Sequence, residues 1–246
     1  MKQLYTSYLQ KDKCKSPASW TKYLMTTHPI QFITTIGRVR GKLIPNIAPF
    51  ATCLDTSYEP PYVQFSCALR QHSLSGQEKR KGKMNTFLNI KQNRLFIINI
   101  PSKELTKMHD SMNSIIDIIA YPYNRDELED KINKAKLTKI EPFYLPKSHT
   151  IYPPLISQCL AHLECEVIDI HRPLGSDHHN ITGKVVGTSY NRRLGESLDE
   201  IRENIVRLTF HHFGSPTSNS NYRYYAFMSD VITPSITFKL EENKNE

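Results

Sequence analysis

The alternation of apolar and polar positions in the first half of the chain predicts a series of antiparallel β-strands. β-branched and aromatic residues dominate three short runs, at residues 29–36, 62–69 and 94–100. A fourth alternating stretch is interrupted at Asn46-Ile47-Ala48-Pro49 and again at Pro60-Pro61. Proline cannot donate to a sheet ladder, so it lies at edges, bulges or turns. The interruption therefore predicts either hairpin punctuation with a bulge or a place where the backbone opens to a ligand, with a turn before it at residues 37–41.

The second half of the chain continues the strand pattern and adds helices. Residues 160–170 alternate with period two, which is typical of a strand with one solvent-facing side. Residues 180–188 are expected to pair with them across a turn at 173–177. The clearest helix is predicted at residues 196–213, where one apolar stripe contains Leu198, Ile201, Ile205 and Leu208. Other elements are predicted as helices at 85–90, 104–112 and 126–135 and as a strand at 222–227.

About six or seven sequential strands with inserted helices predict a mainly β protein with α additions. The arrangement that fits this order is an antiparallel barrel, closed or nearly closed, in a single domain over residues 1–246. The chain has 246 residues, of which 39% are hydrophobic and 23% charged. This composition is ordinary for a globular protein with a sizeable core. No apolar run approaches the roughly 20 residues that span a bilayer. Residues 1–15 lack the apolar segment of a signal peptide, so a cytoplasmic protein is expected.

Charge and cysteine content restrict the chemistry only partly. The net charge of +8 leaves room for a phosphate-bearing partner, either a nucleotide or a nucleic acid, without choosing between them. The five cysteines are an odd number and form no Cys-x-x-Cys pair, so neither a disulfide framework nor a metal centre is expected. Cys53, Cys67 and Cys165 lie in apolar runs and are predicted to be small buried hydrophobic residues.

Two segments are candidates for ligand binding. In Asn46–Thr52, small residues beside a proline would let backbone amides approach a flat ligand, and the Asn46 amide suits the edge of a base-like ring. The second candidate combines Ser66, Cys67 and Arg70 with the basic run 79–83 and the helix start at Asn85-Thr86. A helix N-terminus with nearby hydroxyls and basic side chains could hold a phosphate. The alternatives are a ligand-free bulge for the first segment and a solvated loop with an ordinary helix cap for the second.

The histidines and glycines exclude several familiar sites. His178-His179 is predicted in an exposed turn suited to substrate contact, whereas His211-His212 is expected at the end of the long helix with a structural role. No histidine spacing is typical of a metal site. The chain has nine glycines and neither a phosphate-binding Gly-rich loop nor Gly-x-Gly-x-x-Gly, so a Rossmann domain is not expected.

The order of these segments resembles that of the flavin reductase-like, FMN-binding split-barrel family. The matching segments are Asn46–Thr52, Pro60-Pro61, Phe65-Ser66, the helix at 85–90, Phe96-Ile97-Ile98-Asn99, Leu163-Glu164-Cys165, Asp177-His178 and Gly183-Lys184-Val185-Val186. The resemblance covers residues 25–190 and leaves 191–246 as a C-terminal helical extension and tail. Where the family has Lys-Asp-Thr, this chain has Met84-Asn85-Thr86, and Lys83 is one place away.

The resemblance implies an antiparallel split β-barrel with inserted and C-terminal helices. It further implies FMN as cofactor, with FAD or riboflavin as alternatives, and NAD(P)H as substrate. The residues implied to hold the isoalloxazine ring are Asn46, Ala48, Pro49, Phe50, Ala51 and Thr52. Those implied to hold the phosphate and ribityl chain are Ser66, Cys67, Arg70, Lys83, Thr86 and Asn89. His178 would contact the nicotinamide, and no catalytic acid, base or metal ion is implied.

Three functions remain open from the sequence. The first is an NAD(P)H:flavin oxidoreductase, which by resemblance would be a homodimer with its flavin near the subunit interface and would pass electrons to a monooxygenase or another acceptor. The second is an FMN-binding electron carrier that does not react with NAD(P)H. The third is a non-catalytic binding module on the same barrel, for example for nucleic acid; scattered basic residues argue against it.

Overall fold

The computed structural model describes residues 28–39, 41–68, 85–102, 142–143, 152–192, 208–213 and 222–227. One helix lies in this part of the chain, α1 (Asn85–Asn93). The strands are β1 (His28–Pro29), β2 (Gln31–Val39), β3 (Lys42–Phe50), β4 (Leu54–Tyr58), β5 (Pro61–Ala68), β6 (Leu95–Ile100), β7 (Pro142–Phe143), β8 (Leu155–Ile156), β9 (Ala161–His171), β10 (His178–Tyr190), β11 (Leu208–Phe213) and β12 (Tyr222–Phe227).

Seven of these strands form one sheet in the order β3-β2-β6-β9-β10-β5-β4, and every neighbouring pair is antiparallel. The strands β3 and β4 follow each other in sequence but lie at opposite edges, and no ladder between described residues joins them. The fold is a mainly β, antiparallel split barrel, as predicted. β1, β11 and β12 form a separate three-stranded sheet, and β7 pairs with β8.

The predicted interruption at residues 46–49 is wrong. β3 runs unbroken from Lys42 to Phe50 and pairs with β2 residue by residue, with no bulge. Its prolines are tolerated because β3 is an edge strand, where one side of the backbone needs no ladder partner. The preceding turn is also tighter than predicted, since β2 continues to Val39.

The interior of the barrel is built around three aromatic rings. Phe65 of β5 makes edge-to-face contacts with Phe50 of β3, at a centroid distance of 4.8 Å, and with Phe96 of β6, at 5.2 Å. Gly183 of β10 lies against this stack, because a Cβ atom there would be 2.5 Å from the Phe96 ring. The rings therefore connect the edge strand β3 to the middle of the sheet without backbone hydrogen bonds between β3 and β5.

The opposite face of the central strands is covered by residues 152–160 through buried polar contacts. Asn99 Nδ2 donates to the Phe32 carbonyl oxygen (3.0 Å) and to Thr34 Oγ1 (3.1 Å), and its Oδ1 accepts from the Ile156 N–H (2.9 Å). Thr34 Oγ1 donates to the Pro154 carbonyl oxygen at 2.6 Å. These contacts fix the covering segment on β2 and β6.

His162 of β9 belongs to the same buried layer. Its Nε2 lies 2.9 Å from the Ile156 carbonyl oxygen, which can only accept, so this nitrogen carries the proton, and the Ser189 hydroxyl lies 3.4 Å from Nδ1. Burial lowers the pKa of His162 below its ordinary value of 6.5, although the Ile156 carbonyl and Glu164 act in the opposite direction.

We expect the free energy of unfolding to fall as the pH is lowered from 7 through 6.5, because the unfolded state then binds a proton that folded His162 binds less readily. Above pH 7 the full contribution of neutral His162 to the free energy of unfolding is present. Chemical denaturation of the wild type and of His162→Gln between pH 5 and 8 measures the effect, and the variant should show a shallower slope. The control is His178→Gln, at a half-exposed position. Equal slopes in the wild type and His162→Gln would contradict the assignment.

The C-terminal prediction is partly wrong. Residues 208–213, predicted as the end of a long helix, form β11 and pair with β12, so His211 and His212 lie in a strand. Non-local pairing with β12 overrides the helical spacing of the apolar residues there. The predicted strand at 222–227 is confirmed. The predicted helices at 104–112 and 126–135 lie outside the described residues, as do residues 196–207 of the long helix.

The hairpin in the second half of the sheet is confirmed. β9 and β10 pair across residues 172–177, and Gly175 in this connection has φ of +75°. Cys53, Cys67 and Cys165 are buried free thiols, as predicted. No described helix is both long and apolar enough to cross a membrane.

Candidate functional site

Two amide-to-hydroxyl hydrogen bonds join α1 to the edge of the sheet. Asn46 Nδ2 on β3 donates to Thr86 Oγ1 on α1 at 3.0 Å, and Asn89 Nδ2 on α1 donates to Thr35 Oγ1 on β2 at 3.1 Å. Thr35 and Asn46 are directly opposite each other in the β2–β3 ladder. Thr86 and Asn89 are three residues apart and therefore neighbours on one helix face. We call these four residues the α1 clasp.

The clasp is largely sealed from solvent. Thr35, Thr86 and Asn89 are buried, whereas Asn46 is half-buried at the outer end. Gly37 makes room for it, since a Cβ atom there would lie 2.0 Å from Asn89 Oδ1. Among the described residues, Asn46 Oδ1 receives no hydrogen bond, so this oxygen can accept one from a ligand.

A second polar group lies where β3 crosses to β4. The Ser66 N–H donates to Thr52 Oγ1 at 3.0 Å, and the Thr52 hydroxyl donates to the Ser66 carbonyl oxygen at 3.3 Å. Thr52 thereby extends the β4–β5 ladder beyond Leu54 with its side chain. The Ser66 hydroxyl donates to Asn180 Oδ1 of β10 at 2.7 Å. Thr52, Ser66 and Asn180 therefore form one connected group.

Three predicted site residues have their side chains in the hydrophobic core: Ala48, Phe50 and Cys67. They can reach a ligand only through their backbone. Burial raises the pKa of the Cys67 thiol to about 12, and a backbone hydrogen bond with Phe87 only partly offsets this effect. The thiol is therefore protonated at neutral pH and is no nucleophile. Pro49 and Ala51 are half-buried beside these residues.

The two neighbouring histidines open β10 instead of lying in a turn, which corrects the prediction. His178 Nδ1 is 2.7 Å from Asp177 Oδ1, and its side chain is 41% exposed, so it remains accessible to a substrate. His179 stacks on Phe87 of α1 with a centroid distance of 4.2 Å and an interplanar angle of 26°. The first turn of α1 is thus held against β10 as well as β3.

Two predicted cationic residues, Arg70 and Lys83, lie outside the described residues, as does the basic run 79–83. Within the described part of the chain, no cluster of three or more His, Cys, Asp or Glu residues could hold a metal ion.

Sequence reasoning missed Thr35 and Asn180, and it assigned His179 to substrate contact, whereas this ring stacks on Phe87. Asn180 shares a face with His178 by strand alternation, and this signal could have identified it. No local signal marks Thr35, because its partner Asn89 is 54 residues away.

The described residues fit the neutral part of a flavin. The half-buried amide of Asn46 has a free acceptor oxygen, which suits a donor on the ring or on the sugar-alcohol chain. The hydroxyls and the amide of the Thr52–Ser66–Asn180 group suit the same kind of hydrogen bonding. The basic residues predicted for the phosphate, Arg70 and the run 79–83, lie outside the described residues.

Comparison with known proteins identifies the same family as the sequence pattern. A profile of the flavin reductase-like domain matches residues 24–214, which extends past residue 190 to include β11. A solved structure of nitrilotriacetate monooxygenase component B from Bacillus cereus is 16% identical, with a TM-score of 0.63 and coverage of 91% of this chain and 94% of that chain.

Two further structures share the fold. One, from Shewanella frigidimarina, is assigned as a flavin reductase with a split barrel domain; it is 14% identical, covers 85% of this chain and 87% of that chain, and has a TM-score of 0.55. The other is an FMN-binding protein from Thermus thermophilus, 15% identical, covering 83% of this chain and 88% of that chain, with a TM-score of 0.52. At these identities the likeness shows the fold alone.

Proposed function

Because this chain belongs to the flavin reductase-like family, we propose that it binds FMN and uses it to oxidise NAD(P)H. Bound FMN would supply the redox chemistry by accepting a hydride from the nicotinamide, while the protein binds and orients both molecules. This assignment needs no general acid or base from the chain.

The observation that carries the proposal is the contact between Asn46 and Thr86. It joins the segment proposed for the flavin ring to the first turn of the helix proposed for the phosphate end, although the two residues are 40 positions apart. FMN needs contacts to its ring and contacts to its phosphate within one binding site. The α1 clasp brings together the elements that would provide them.

The residues of the proposed site would divide between the ring, the ribityl chain and the phosphate. Asn46 would accept a hydrogen bond from the ring or ribityl chain, and Pro49 and Ala51 would line the ring with their backbone. Ser66 would contact the ribityl chain from β5. Arg70 and Lys83 would neutralise the phosphate.

The proposed substrate contact is His178, which is accessible at the start of β10 and would face the nicotinamide. By analogy with the monooxygenase component from Bacillus cereus, a monooxygenase is the proposed electron acceptor. A homodimer with the flavin near the subunit interface is the proposed assembly.

Flavin binding is tested by titrating FMN, FAD and riboflavin with the purified full-length protein and measuring the quenching of flavin fluorescence. We expect saturable binding, tightest for FMN. Adding NADH or NADPH under anaerobic conditions should then bleach the flavin absorbance near 450 nm. Binding without bleaching by either nucleotide would leave the electron carrier. Absence of binding to all three flavins would overturn the proposal and favour a binding module.

A further inference from the structure

We propose that Thr86 is a positioning residue that orients Asn46 toward the uncharged part of the flavin and does not bind the phosphate. The inference rests on the proposed function, because it concerns the same site. It departs from the sequence expectation that Thr86 holds the phosphate and ribityl chain.

Burial of Thr86 is the first argument. Its side chain is 1% exposed, and its Oγ1 accepts the hydrogen bond from Asn46 Nδ2. A phosphate would have to displace buried contacts to reach this hydroxyl, although a helix N-terminus as a whole favours anions through its backbone N–H groups. The accessible member of the pair is Asn46.

Orientation of the amide is the second argument. A side-chain amide has a donor nitrogen and an acceptor oxygen on opposite sides. When Nδ2 is bound to Thr86, Oδ1 is directed away from it and is the atom left for a ligand. An oxygen acceptor suits the N–H and O–H donors of the flavin ring and ribityl chain and is repelled by phosphate oxygens.

Rigidity of the support is the third argument. β3 is an edge strand of the described sheet, so no described strand pairs with it on the side away from β2. Thr86 supplies the missing support and is itself fixed in two ways. One helical turn later, Asn89 binds buried Thr35, and the adjacent Phe87 stacks on His179. The position of Asn46 therefore depends on the position of α1, through the α1 clasp.

The experiment compares the dissociation constants of FMN and riboflavin, which differ only by the phosphate. Thr86→Val keeps the shape of the side chain but removes the hydroxyl, while Thr86→Ser keeps the hydroxyl. The control is Thr34→Val on β2, which faces the opposite side of the sheet from Thr35. It loses two buried hydrogen bonds, the one to the Pro154 carbonyl oxygen and the one from Asn99 Nδ2. The absorption spectrum of the bound flavin is recorded for each variant.

We expect Thr86→Val to weaken FMN and riboflavin by the same factor, about three- to tenfold, which is the usual effect of one hydrogen bond. The flavin spectrum should shift, and Thr86→Ser should restore both constants. Thr34→Val should lower stability without changing either constant.

Loss of FMN affinity alone would assign Thr86 to the phosphate and overturn the inference. Unchanged affinity in Thr86→Val, or an equal loss in Thr34→Val, would overturn it too. If the wild type binds neither FMN nor riboflavin, the proposed function itself has failed, which is a separate outcome.

Discussion

Replacing Phe65 by alanine is expected to lower the free energy of unfolding by about 3–5 kcal/mol, the usual range for a buried phenylalanine. Phe65 is fully buried and is the middle ring of the stack with Phe50 and Phe96. Its removal loses the apolar burial of the ring and both edge-to-face contacts. It also leaves a cavity that the surrounding strands cannot close, because their registers are set by hydrogen bonds.

Equilibrium denaturation in urea, followed by circular dichroism, measures this loss. The matched control is Phe65→Leu, which fills most of the space and keeps the side chain apolar, so a much smaller loss is expected. A second control, Val186→Ala at a half-exposed position on β10, should change stability little. A loss below about 1 kcal/mol in Phe65→Ala would show that the ring stack is not the centre of the core.

The same substitution should affect the site beyond its effect on stability. No ladder joins the two edge strands among the described residues, so the Phe50–Phe65 contact, with the Thr52–Ser66 hydrogen bonds just beyond it, holds the end of β3 near β5. Asn46 lies on β3, the same strand as Phe50. We therefore expect the surviving folded protein to bind flavin less tightly, since the position of Asn46 depends on β3.

The strands were predictable wherever one face of the strand is buried and the other is exposed to solvent. β9 alternates because Cys165 and Val167 enter the core, whereas Glu166 and Ile168 on the next positions are exposed. β10 was predictable for the same reason. The burial pattern creates the period of two, and that period is visible in a single sequence.

Two errors have a common cause, which is that strand pairing is non-local. The Asn46–Pro49 segment resembled a break because the sequence does not reveal that β3 is an edge strand. Residues 208–213 followed a helical spacing, but β11 gains its hydrogen bonds from β12. The hydrogen bonds to β12 outweigh the local helical propensity of these residues.

The site was predictable in its residue types but not in its connections. Asn46 and Thr86 were each identified, for separate roles, and only the docking of α1 on β2 and β3 brings them into contact. The partner of Ser66 was missed, since Asn180 is 114 residues away. A residue whose role depends on a distant partner has no local signature.

Replacing Asn99 by aspartate is expected to destabilise the protein by about 3–5 kcal/mol at neutral pH, the cost of an uncompensated buried charge. The two side chains have nearly the same shape, so the effect isolates the chemistry. Asn99 is fully buried. Its amide hydrogens serve the Phe32 carbonyl oxygen and Thr34 Oγ1, and a carboxylate has none to donate. Of the polar contacts, only the one from the Ile156 N–H to an oxygen is retained.

The pH dependence distinguishes a buried charge from a simple loss of packing. Burial would raise the pKa of the introduced carboxyl in the folded state, so the folded state binds more protons than the unfolded state at intermediate pH. The deficit relative to wild type should therefore shrink as the pH falls from 8 to 5. Gln92→Glu is the matched control, because this exposed amide uses its oxygen to accept from the Arg38 N–H. It should change stability by less than about 0.5 kcal/mol.

Denaturation curves of Asn99→Asp at several pH values, corrected for the wild-type slope that His162 contributes, provide the measurement. A deficit that does not vary with pH would mean that the carboxyl titrates normally and therefore reaches water. In that case residues 152–160 would not seal this face of the sheet. A deficit that grows toward high pH would establish that the covering segment excludes water from β2 and β6 around Asn99.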